Sequence, residues 1–185
     1  MHMKRKNQIT TKTVVFCALL AAMSVVLARV LSIQPTESIR ISIEAIPIFL
    51  SGILFGPIAG ILVGFTADFV GSMFSFGFNP IFIVPPILYG LCGGLMRWYI
   101  CKKPNLLRLA LAWLPPVVLG SILYQSVTLA WMYGDGIFIQ NLILKLSSRS
   151  IQFAITIVLD IGIVFGLIKS RIFHRMGIWP VRKEQ

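Results

Sequence analysis

Residues Ile39 to Trp98 read IRISIEAIPIFLSGILFGPIAGILVGFTADFVGSMFSFGFNPIFIVPPILYGLCGGLMRW, an almost unbroken apolar run with only a few polar residues in it. Glycines stand at every fourth position, Gly52, Gly56, Gly60 and Gly64. On helices that spacing makes a flat strip along which neighbouring backbones approach closely. Pro57 interrupts the ladder. A proline after glycine cannot continue the preceding helix without losing a backbone hydrogen bond, so Gly56-Pro57 reads as a tight turn between two membrane-crossing helices. Asp68 then falls about ten residues into the second helix, near the bilayer midplane at a rise of 1.5 Å per residue. A carboxylate at that depth costs roughly 2.5 to 3.5 kcal/mol even on insertion scales, and so faces a polar cavity or a partner. The plainer alternative for Asp68 is a structural pair with a buried arginine or a polar contact between helices.

Working outward, the whole chain fits a membrane protein. Of 185 residues 57% are hydrophobic and 12% charged, too apolar for an ordinary soluble domain. The net charge of +11 would point to nucleic acid in a soluble chain. Here the basic residues cluster instead: Lys4, Arg5, Lys6 and Lys12; Lys102, Lys103 and Arg108; Lys169, Arg171, Arg175, Arg182 and Lys183. By the positive-inside rule all three clusters are cytoplasmic, so both termini lie inside and the number of crossings is even. Nucleic acid is not expected as a partner; the bilayer is. Cys17, Cys92 and Cys101 are an odd number of thiols without CxxC spacing, read as small core residues rather than disulfides or metal ligands.

The expected architecture is a single all-α domain over residues 1-185, a bundle of six transmembrane helices. The spans are placed at about 13-33, 40-55, 58-75, 81-100, 106-132 and 145-168, near or below the roughly 20 residues a bilayer asks for. Ser32 to Ile39 carries Pro35, Thr36 and Ser38 and reads as an external loop. Phe74 to Pro80 (FSFGFNP) reads as another, either lying over the bundle or forming an interfacial aromatic belt. Pro85-Pro86 breaks the fourth span and Pro115-Pro116 the fifth, which carries Gln125 and Thr128 in its outer half. Residues 137 to 148 are open between an amphipathic outer helix and the start of the sixth span.

Lys145, Arg149, Gln152, Thr156 and Asp160 recur at spacings of four, three, four and four, on one face of one helix. Lipid cannot satisfy such a stripe, so it faces the bundle interior. The two cations lie at its outer end, where a carboxylate-bearing ligand from outside would meet them first; arginine holds a carboxylate bidentately. Lys145 can equally snorkel to the outer interface, and Asp160 is expected to pair with Arg97 in the inner half. There is no HExxH, Cys/His pair, nucleophile elbow or phosphate-cradling loop, so no catalytic residue is expected and no metal or cofactor site. A small membrane enzyme acting on lipids is the reading from another class, disfavoured on that ground. A stand-alone carrier or assembly scaffold is a further one.

Six spans in a chain of this length, Ala18-xxx-Ala22 in the first helix, and the segment LFGPIAGILVG-xxAD at Leu54 to Asp68 followed by FGFNPIF resemble the substrate-binding S components of energy-coupling factor (ECF) vitamin transporters, most of all the folate-specific branch. The resemblance covers essentially the whole chain. It implies a prokaryotic plasma-membrane subunit without its own ATPase that binds folate in an outward cavity. It also implies a membrane coupling subunit and two ATPase subunits as partners, with Ala18 and Ala22 as the docking face. A pterin ring presents N–H donors to a carboxylate, and a glutamate tail carries two carboxylates. Asp68 is therefore assigned to the pterin, Asn79, Gln125 and Gln152 to supporting hydrogen bonds, and Arg149, Lys145 and Arg29 to the tail. Arg29 lies eleven residues after Ala18, nearly on the same face of a regular helix, so both cannot serve their roles unless the first helix bends or Arg29 acts from its outer end. An S component for another water-soluble vitamin, such as riboflavin, is the alternative.

Overall fold

A computed structural model describes residues 11–36, 39–74, 80–102, 105–132, 138–170 and 172–180. Helix α1 is Thr11–Val30, followed by two short strands, β1 (Ile33–Thr36) and β2 (Ile39–Ile41). Then come α2 (Ala45–Phe55), α3 (Pro57–Met73), a turn of 3-10 helix at Pro80–Ile83, α4 (Val84–Leu95) and α5 (Arg97–Lys102). The remainder is α6 (Leu106–Pro115), a π-helical segment (Pro116–Tyr124), α7 (Gln125–Met132), α8 (Phe138–Lys169) and α9 (Ile172–Arg175).

Among the described residues, three helical stretches are long and apolar enough to cross a membrane: Thr11–Val30, Leu106–Met132 and Phe138–Lys169. Ala45–Phe55, Pro57–Met73 and Pro80–Leu95 are shorter apolar helices. Residues 138 to 148 belong to a continuous helix from Phe138 on, 32 residues in α8, while residue 137 lies outside the described residues.

Local chemistry explains the junctions. Gly56 has φ of 102°, a conformation that strains any residue with a Cβ, and Pro57 opens α3 at its first position, where its missing N–H is not needed. The expected turn is present. The expected break at Pro85-Pro86 is not: these prolines lie in the first turn of α4, which is where proline is tolerated. The fourth apolar segment breaks instead at Met96, between α4 and α5. The expected loop after the first span carries an antiparallel ladder, with Ile33 opposite Ile41 and Thr36 opposite Ile39, so α2 begins at Ala45 rather than near residue 40.

The heart of the bundle is the packing of α2 and α3 on α4. A Cβ on Gly60 would lie 2.3 Å from the Gly90 carbonyl oxygen, and one on Gly94 would lie 2.3 Å from Pro57 Cα. Lipid tails are as apolar as leucine, so burial in a bilayer separates helices little; close backbone approach and dispersion are what hold them. Around this seam pack Phe49, Ile53 and Trp113, each 0% exposed. The Phe49 and Trp113 rings are 4.2 Å apart. Tyr89 OH and Ser121 Oγ share a buried hydrogen bond of 3.1 Å. At the chain ends, Lys12 Nζ donates to the Met176 carbonyl at 3.0 Å, which brings the start of α1 against the segment after α9.

Candidate functional site

Among the described residues, polar side chains gather at two places that bear on a ligand site. The first is a cavity of about 80 Å³ where α1, α2, α3 and α4 meet, lined by Ser24, Arg29, Glu44, Asp68, Gly71 and Pro86 among others. Arg29 stands in the last turn of α1 and its guanidinium donates to the Gly71 carbonyl near the end of α3. Ser24 Oγ donates to the Glu44 carbonyl at 2.8 Å, tying α1 to the start of α2. Arg29 attracts the Asp68 carboxylate, and Glu44 lies within electrostatic reach of both Asp68 and Asp160. The cavity thus sets one cation against two carboxylates, an arrangement able to receive N–H donors on the acidic side and an anion on the basic side.

The second place is the contact between α7 and α8. Arg149 Nη1 donates to Gln125 Oε1 at 2.8 Å, joining two residues 24 apart in the chain. The stripe on α8 turns inward beyond it: Gln152 is 8% exposed, Thr156 4% and Asp160 4%. The lipid-facing side of the same helix carries Ile151, Ile155 and Val158, all exposed. Periodicity alone therefore identified the inward face.

Asp68 and Arg29 share the cavity, and Gln125 and Arg149 share a hydrogen bond. Gln152 is buried one turn further along α8, while Lys145 is half-buried one turn before Arg149. Asn79 lies outside the described residues. Ala18 and Ala22 are exposed on α1, whose buried residues are Leu20 and Ser24. Arg29 reaches from the end of α1 across to α3 and lines the cavity, while Ala18 and Ala22 stand on the exposed side of the same helix.

One expectation fails. Arg97 does not pair with Asp160: its guanidinium lies 5.3 Å from the centre of the Trp98 ring and its Nε has no hydrogen-bond partner, while Asp160 Oδ1 is buried without one. The aromatic face of Trp98 takes the arginine charge instead. Glu44 and Ser24 were missed. Glu44 was legible by the rule that singled out Asp68, since it is the other carboxylate inside the apolar stretch.

The sequence profile of the family described as "ECF-type riboflavin transporter, S component" matches residues 8–174. The "Folate transporter FolT" of Clostridium novyi (strain NT) is 28% identical over 154 residues, 80% of this chain and 85% of the relative. Among solved structures, that of "FolT bound with folic acid" superimposes with a TM-score of 0.72 at 27% identity, covering 85% of this chain and 93% of the other. The S component for biotin from an ECF-type ABC transporter superimposes with a TM-score of 0.65 over 90% and 95% of the two chains; at 17% identity that likeness speaks for the fold alone. With a profile match over most of its length and helices apolar enough to span a bilayer, the chain belongs to the family of ECF-type riboflavin transporter S components.

Proposed function

We propose that the protein is the substrate-binding subunit of an ATP-driven ECF-type importer, taking folate from the outside and passing it inward with a membrane coupling subunit and two ATPase subunits. The observation that carries this reading is the cavity in which Asp68, Glu44 and Arg29 converge inside an apolar bundle, in a chain similar over most of its length to a folate-bound FolT. A whole ligand of this class needs roughly 300 Å³ or more. The 80 Å³ cavity takes one polar edge of it. Asp68 accepts from the pterin N–H groups, Gln125, Gln152 and Asn79 support it, and Arg149, Lys145 and Arg29 take the tail carboxylates.

Both termini lie on the cytoplasmic side of six crossings in this reading. The Lys12–Met176 hydrogen bond supports an even count, since it holds the two ends of the bundle together, and Lys169 and Arg175, at the ends of α8 and α9, fit the positive-inside rule. Ala18 and Ala22 offer a flat exposed strip on α1 for the coupling subunit.

The description of the matching family favours riboflavin as the second reading. Calorimetric titration of the detergent-solubilised protein with folic acid, riboflavin, thiamine and biotin separates the two. One-to-one binding of folic acid alone upholds the first. Riboflavin binding alone keeps the transporter and replaces the ligand, and binding of none removes both.

A further inference from the structure

The chain from Leu106 to Met132 is not a single α-helix. Pro115 ends α6, Pro116 opens the π-helical segment, and the Gln125 N–H that closes it donates back to the Gly120 carbonyl, five residues earlier. Two consecutive prolines remove two donors and push their rings against the carbonyls four residues before them, which opens the helix at that point. A π-helical stretch is costly and recurs at functional sites. This one runs directly into Gln125, the residue that accepts from Arg149 at 2.8 Å.

The segment is also pinned from one side. Gly120 packs so closely on α4 that a Cβ there would lie 3.3 Å from Pro85 Cα, and Ser121 shares its hydrogen bond with Tyr89. Each residue turns the helix by about 100° in the α form and by about 82° in the π form, taking 3.6 and roughly 4.4 residues per turn. Over the nine residues Pro116–Tyr124 the difference amounts to about 160°. With α6 held by the buried Leu109, Ala112 and Trp113, an unbroken α-helix would carry Gln125 to the side of α7 away from Arg149.

We propose that Pro115 and Pro116 are positioning residues of the ligand site: by opening the helix into the π form they set the rotation of α7 and so deliver Gln125 onto Arg149. Neither proline touches the ligand in this scheme. The inference rests on the reading of Gln125 and Arg149 as ligand residues for its consequence, though not for its geometry.

The test separates the two. In a protein whose Cys17, Cys92 and Cys101 are replaced by serine, Gln125→Cys and Arg149→Cys are joined by a short bifunctional thiol cross-linker. The same pair is then placed in a Pro115→Ala/Pro116→Ala background, with Pro116→Ala alone as the milder variant should the double one not fold. Loss of the cross-link, with the helix content and melting transition retained, is expected; an undiminished cross-link overturns the proposal. Folate titration of the proline variants with Gln125 and Arg149 intact is expected to show a fall of tenfold or more in affinity, and no further fall when the prolines are replaced in a Gln125→Ala protein. A lost cross-link with unchanged folate affinity upholds the positioning and sinks the ligand role of Gln125. A fall that adds in full to that of Gln125→Ala overturns the positioning, because the prolines would then act through general stability.

Discussion

Replacing Gly60 by alanine tests the seam on which the fold depends. The added Cβ would lie 2.3 Å from the Gly90 carbonyl oxygen, whereas ordinary contact begins near 3.4 Å, and the obstacle is backbone with no rotamer to yield. Helices α3 and α4 therefore have to separate by about 1 Å. A gap of that size forfeits a quarter to a half of the dispersion well for atoms along the interface. Overpacking of this kind costs about 1–3 kcal/mol, and a backbone clash belongs at the upper end. For a chain of this length the upper end, about 3 kcal/mol, corresponds to a fall in Tm of roughly 6–12 °C. The assay is thermal unfolding in detergent, followed by circular dichroism, with Gly162→Ala and Gly166→Ala as controls. Nothing lies within 4 Å of a Cβ at either control position. Alanine there relieves the helix of glycine's penalty of about 0.8–1 kcal/mol, so the controls melt with the parent or slightly above it. Because Gly60 and Gly90 meet the same gap, the double alanine variant is expected to lose less than the two single losses together. If Gly60→Ala melts with the parent, close backbone approach is not what holds α3 to α4.

Asp68→Ala is expected to weaken folic acid binding by roughly tenfold or more, the worth of a hydrogen bond to a charged group, as read by calorimetry. Unchanged affinity would remove Asp68 from the site. Arg149→Ala should lower affinity for folic acid yet leave pteroic acid, which lacks the glutamate, nearly unaffected; equal losses for both would move Arg149 away from the tail. Ala18→Leu/Ala22→Leu should bind folic acid as the parent does but fail to co-purify with the coupling and ATPase subunits, since bulk on the exposed strip blocks close helix approach. Retained assembly would place the docking face elsewhere.

What the sequence by itself determined is what short-range physics controls. Apolar length and charge placement mark a membrane chain, Gly56-Pro57 marks the turn, glycines at every fourth residue mark the seam, and the stripe of Gln152, Thr156 and Asp160 at four-residue spacing marks the inward face of α8. Each depends on residues within a turn or two of one another, where 3.6-residue periodicity and backbone sterics are enough. Only the tertiary structure decided which polar groups share a space. Arg29 finds Gly71 and the neighbourhood of Asp68 across some forty residues of chain, Glu44 joins them, and Arg97 turns to Trp98 instead of Asp160. Periodicity gives the face on which a side chain stands but not the rotation of the neighbouring helix, which is set by how closely backbones approach and by departures from the α form such as the one after Pro115-Pro116.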